Sequence, residues 1–137
     1  MIRKLLVVLL CASSLSAHAA LDPAQVRQLA AEDSSDKVAA IRQLTQTADP
    51  DAVRVLKAMA EDSLFLAGDQ TVIIEGDKAF DAATGDAIKM PANPESPTVN
   101  NRIRGELASA LAALKLFDAD VAVRLASAQK LQSQVTP

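Results

Sequence analysis

Two helix starts of the same design, Asp22-Pro23 and Asp49-Pro50, limit most strongly what this chain can fold into. At each, the aspartate can accept backbone N–H groups of the first turn, and proline sits where its missing N–H does no harm. Gln25 stands where it could complete a capping box, and the first helix is predicted to run to about Ala31. The second start leads into Val53, Leu56, Met59 and Ala60, a helical stripe predicted to end near Asp62. Between them, Ser34, Ser35 and Asp36 offer capping oxygens before Val38, Ile41 and Leu44, whose spacing of three predicts a helix to Thr47. Helices this short are marginal alone and must be covered by one another.

The period changes at Leu64. The segment LFLAGDQTVIIEGDKAFDAATGDAI reads as short strands divided by the turn formers Gly68-Asp69, Gly76-Asp77 and Thr84-Gly85. A β insert is therefore expected over about residues 64–90, as a two- or three-stranded flap with Phe65, Ile73, Ile74 and Phe80 folded back on the helices. MPANPESP follows, and its three prolines predict a mobile loop over 91–97. The strongest helical pattern comes next, from about Val99 to Phe117, capped by Asn100 or Thr98, with Gly105 marking a close helix contact. Asp118-Ala119-Asp120 turns the chain into a closing helix whose stripe is Val121, Leu125, Ala128, Leu131 and Val135, with Ala122, Val123 and Ala126 as a weaker second side.

Ahead of all this, Arg3 and Lys4 precede the apolar run Leu5 to Ala12, and Ala17-His18-Ala19 places small residues where a signal peptidase reads. Residues 1–19 are expected to be a signal peptide cut before Ala20, and the product to be periplasmic. An apolar run of about 12 Å is too short to anchor the chain across a bilayer, and Leu10 before Cys11 departs from a lipoprotein signal. Cleavage leaves 118 of 137 residues, with no Cys, His, Trp or Tyr. It also takes Lys+Arg from 14 to 12 against 17 Asp+Glu, a balance of −5 without a basic block. Nucleic acid and anionic membranes are therefore not expected as partners, and no apolar stretch after residue 20 is long enough to span a membrane.

The fold class expected is mainly α, a HEAT-like helical repeat or bundle over 20–137 with a small β-hairpin insert. SSDKVAAIRQLTQTADPDAVRVLKAMAED resembles one HEAT repeat, and DADVAVRLASAQKL resembles the first helix of another. Together with the insert VIIEGDKAFDAATGDAI and the stretch VNNRIRGELASALAALKLFDADVAVRLASAQKL, the chain resembles the amino-terminal extracytoplasmic region of urea ABC transporter permeases, UrtB type. That resemblance implies an importer of the branched-chain amino-acid class, in which this region precedes a multi-helix membrane core. It implies a docking or assembly role, with transporter subunits or a periplasmic binding protein as partners and an inner-membrane location for the whole permease. No spanning core lies in these residues, so the resemblance makes the chain a fragment or truncated reading frame and leaves contact with urea open. The alternative is a stand-alone periplasmic helical-repeat module that binds another protein.

No catalytic, cofactor-binding or metal-ligating residue stands out. The pairs Asp33 with Asp36, Asp49 with Asp51 and Asp118 with Asp120 all lie at helix starts, where capping explains them. Asp69, Asp77, Asp81 and Asp86 lack the spacing of an EF-hand loop. Without imidazole, thiol, phosphate loop or nucleophile elbow, an enzyme is not expected, nor is a cofactor. Asn100, Asn101, Arg102 and Arg104 form the one polar cluster that bears on recognition: they either hold a partner's backbone or carboxylates, or serve as a cap with solvated charges. The flap over 64–88, with its unpaired strand edges, is a second candidate contact surface.

Overall fold

A computed structural model describes residues 20–135. The expected signal peptide, 1–19, lies outside the described residues. Five helices and four strands follow in the order α1 (Pro23–Gln28), α2 (Ser34–Thr47), α3 (Pro50–Ala60), β1 (Leu64–Ala67), β2 (Gln70–Glu75), β3 (Lys78–Asp81), β4 (Ala87–Ile88), α4 (Asn101–Lys115) and α5 (Val121–Val135). The fold is helix-dominant with a small antiparallel sheet.

The caps work largely as the side chains dictate. Asp22 accepts from the Ala24 N–H, Asp33 from Ser35 and Asp49 from Asp51. Asp33, not the serines after it, therefore starts α2. At the far end of α3, Asp62 adopts φ 57°, with its N–H on the Met59 carbonyl at 3.3 Å and the Ser63 N–H on Ala58 at 2.8 Å. This paired closure reverses the chain and delivers Leu64 into the core.

α4 packs across both α2 and α3. Its Ile103, Leu107, Ala110 and Leu114, at spacings of four, three and four, form a buried stripe against Ile41, Leu44, Leu56 and Met59. Burying each large aliphatic side chain contributes about 1.5–3 kcal/mol, and this seam is the main source of stability in a domain so poor in aromatics. The close contact expected at Gly105 is absent, since a Cβ there would meet nothing within 4 Å. Its place on the helix is on the solvent side, away from the stripe.

The insert is a four-stranded meander, β1-β2-β3-β4, larger than the hairpin or three-stranded flap expected. Two-residue loops join β1 to β2 and β2 to β3, and the fourth strand pairs through Ala79 with Ile88 and Phe80 with Ala87. The register puts Leu64, Ile73 and Phe80 on one face and Phe65, Val72 and Asp81 on the other. Ile73 and Ile74 therefore face opposite ways, because side chains alternate along a strand. Of the four apolar residues expected to fold back, Ile73 alone joins the buried core, while Phe65, Ile74 and Phe80 remain half-buried. The proline segment is pinned to the sheet: Leu66 and Glu95 exchange both backbone hydrogen bonds at 2.8 Å, covering part of the β1 edge expected to be open.

The loop DAATGD joins β3 to β4 and fastens the sheet to the helices. Asp81 Oδ1 accepts from the N–H groups of Ala83 (2.8 Å) and Thr84 (2.9 Å), and Gln70 Nε2 donates to Oδ2 at 2.6 Å. The Ala82 carbonyl accepts from Arg54 of α3 at 3.1 Å, and the Ala83 carbonyl from Leu21 at 3.1 Å. Gly85 closes the loop at φ +79°, a conformation that L side chains rarely adopt, and a Cβ there would lie 3.3 Å from the Arg54 guanidinium. Burial pushes the Asp81 carboxyl up, but the bonds from Gln70, Thr84 and Ala83 outweigh it and hold the group below its ordinary 3.8.

Two outcomes follow from these glycines. Gly85→Ala is expected to lose about 1–2 kcal/mol from backbone strain alone, whereas Gly105→Ala is expected to gain about 1 kcal/mol in an exposed helix interior. Chemical denaturation of both variants measures the contrast, and a loss at Gly105 would contradict its open surroundings. A depressed carboxyl contributes stability above its unfolded pKa that is lost as pH falls through the lower folded value. The melting temperature is therefore expected to hold steady near neutrality and fall below about pH 4, with a shallower fall in Asp81→Asn.

Candidate functional site

The α4 start, where the predicted polar cluster lies, is built by three elements meeting. Asn100 caps α4, its Oδ1 accepting from the Ile103 N–H at 3.0 Å, while its Nδ2 donates to Ser34 Oγ at 3.0 Å at the start of α2. Lys37 of α2 is buried, 2% exposed, and its Nζ donates to the Thr98 carbonyl at 2.6 Å. These bonds join the end of the proline segment to α2, and they explain why Asn100 and not Thr98 begins the helix.

The four predicted residues do not converge on one point. Ile103 is fully buried, so Arg102 and Arg104, one residue to each side and about 100° away on the helix, diverge. Arg104 turns toward α3, with Nη2 3.4 Å from both Asp62 carboxylate oxygens. Arg102 lies toward α2 and Asp33, whose carboxyl is held below its ordinary value chiefly by hydrogen bonds from the Ser35 N–H and hydroxyl, against desolvation, and least by the Arg102 charge. Asn101 is exposed. Asn100 is thus structural, Arg104 a surface pair and Asn101 with Arg102 the exposed remainder. The arrangement can offer hydrogen bonds at a surface.

One acid of each pair sits at a helix start and accepts a backbone N–H there, Asp33 from Ser35, Asp49 from Asp51 and Asp120 from Ala122, while Asp118 accepts from the Asp120 N–H and Asp51 pairs with Arg54 at 3.4 Å. Among the described residues no group of three or more His, Cys, Asp or Glu is placed to hold a metal ion, and no helix is long and apolar enough to cross a membrane.

Exposed apolar side chains also occur at α5, which packs chiefly on α4. The expected stripe divides. Val123, Ala126, Ser127 and Leu131 face α4 across a groove of about 830 Å³ against Ala108, Ser109 and Ala112. Val121 and Leu125 point away, 64% and 58% exposed, and Phe117 in the turn before α5 is 71% exposed. Larger aliphatics thus lie on both sides of α5, Val123 and Leu131 toward α4 and Val121 and Leu125 toward solvent. Lys37 and Thr71, both buried, were not singled out by the sequence reading. Thr71 stands two residues before Ile73 and shares its face, which is the one signal that places it inside.

Comparison with known protein families, with curated proteins and with solved structures gives no match.

Asn100→Ala is expected to lose about 0.5–2 kcal/mol through the missing cap, while Asn101→Ala and Arg102→Ala stay within about 0.5 kcal/mol of the parent. Denaturation midpoints for the three variants test this division of roles; equal losses would mean that the cluster acts as one unit.

Proposed function

We propose that this chain is an extracytoplasmic accessory domain of a urea-importing ABC permease, with a docking or assembly role and no part in forming the pathway itself. Support for the importer comes from the resemblance of SSDKVAAIRQLTQTADPDAVRVLKAMAED, DAATGD and VNNRIR to that family. In this reading α2 and α3 are one HEAT-like pair and α5 is the first helix of another, with α4 packed across both helices of the first pair. The domain works in the periplasm, held at the inner membrane by the permease it serves.

The observation that carries the docking role is the exposed apolar pair Val121 and Leu125, one turn apart on α5. Exposed apolar side chains grouped on one helix are a recurring mark of protein contact. The partner is a transporter subunit or the periplasmic binding protein, and α5 meets it with the face that α4 leaves uncovered. DAATGD, one of the stretches behind the resemblance, serves the fold: its bonds fasten the sheet to α3 and to Leu21.

Co-expression with the importer components encoded beside its gene is the test. Val121→Asp with Leu125→Asp is expected to reduce co-purification at least tenfold while leaving the melting temperature within a few degrees, because both side chains are already in water. Undiminished co-purification would remove α5 from the interface, and a gene neighbourhood without urea-importer components would remove the assignment.

A further inference from the structure

The half-open groove of about 830 Å³ between α4 and α5 has a mostly apolar lining, to which Leu111, Ala112, Val123 and Ala126 contribute. Its charged residues are Lys115 and Lys130, and no acid lines it among the described residues. Both lysines are exposed, and neither ammonium has a hydrogen bond or ion pair among the described residues. The chain as a whole carries 17 acidic residues against 14 basic ones, so two unpaired cations set the groove apart from its surroundings. A positive charge in the last turn of α4 gains from the helix dipole, which accounts for Lys115. Lys130 stands before the last turn of α5 and has no such gain.

Consecutive helices joined by so short a turn and packed together run antiparallel. Lys115 therefore lies at the turn end of the groove, and Lys130 lies about 14 Å further along α5. A cation at each end, with apolar side chains between, suits an occupant that is apolar in the middle and acidic at two places. An alkyl carboxylate carries one charge and leaves one lysine unmatched, whereas a helix with an apolar stripe between two acids meets both. The groove walls are themselves helices, and Ala108, Ala112 and Ala126 let a third helix approach to the usual distance of about 8–10 Å between axes.

We propose that this groove seats one amphipathic helix of a partner protein, whose apolar stripe is flanked by two acids roughly seven to eleven residues apart. The acids meet Lys115 and Lys130, and the stripe covers the apolar lining between them. This contact is separate from the Val121 and Leu125 pair. Val121 and Val123 lie about 200° apart around α5, so the two surfaces are on opposite sides of one helix and neither needs the other.

The test is an amide-resolved NMR titration of the full chain with a synthetic helical peptide of about 18 residues, leucines along one face and a glutamate at each end of that stripe. A counterpart with lysine in place of each glutamate is the control. Saturable shifts at Ala112, Val123 and Ala126 are expected from the acidic peptide, with the basic one binding at least about tenfold more weakly. Lys115→Glu with Lys130→Glu is expected to reverse that preference, with a melting temperature within a few degrees of the parent because both side chains are already in water. Ala126 is exposed, and Ala126→Trp is expected to block either peptide by filling the groove, whereas Val121→Asp with Leu125→Asp leaves the titration unchanged. Equal binding of the two peptides, no saturable shift from either, or an unreversed preference in the double lysine variant would overturn the site. Loss of binding in the Val121 and Leu125 variant would move the contact to the outer side of α5 and overturn it as well. Dodecanoate binding more tightly than the acidic peptide, or a dimer of the chain alone that Ala126→Trp dissolves, would give the groove to a lipid or to a second copy instead.

Discussion

The seam between α4 and the α2–α3 pair is the interaction on which everything else rests. Ile103, Leu107, Ala110 and Leu114 close a core made of aliphatic side chains, with no Trp or Tyr anywhere in the chain. Dispersion and burial supply the stability, and both fall away steeply when packing loosens. The polar contacts across the seam, Arg42 with Glu106 at 2.8 Å and Arg104 with Asp62 at 3.4 Å, lie at its surface and set register more than strength.

With the helices so arranged, the sheet needs a fastening, since a small meander is marginal alone. Ile73 and Leu64 supply the apolar part, and the DAATGD loop supplies the polar part through Arg54 and Leu21. Asp81 shapes the loop, its Oδ1 accepting two backbone N–H groups while its Oδ2 accepts from Gln70 of the neighbouring strand. The sheet is thus held at several points, whereas α5 leans chiefly on α4.

Much of the architecture was legible. The Asp-Pro starts located α1 and α3, the spacing of three located α2 to its last residue, and the glycine turns located the sheet. Less of the site was. Asn100, Asn101, Arg102 and Arg104 are adjacent in sequence, but the buried Ile103 sends the two arginines to opposite sides, a divergence visible only once the core-facing side of α4 is known. The division of the α5 stripe was hidden for a related reason: residue type does not say which of two weakly apolar faces meets α4.

By itself the sequence determined where helices begin, where the period changes from helical to extended, and that aliphatic burial must hold the domain together. Caps, turns and periodicity act over a few residues, so local chemistry is enough to set them. Tertiary structure alone decided that Lys37 is buried on the Thr98 carbonyl, that Glu95 closes an edge of the sheet at Leu66, and that the Thr71 hydroxyl is buried without a hydrogen-bond partner among the described residues. Each depends on contacts between segments far apart in the chain, whose geometry is fixed only when the α4 seam forms.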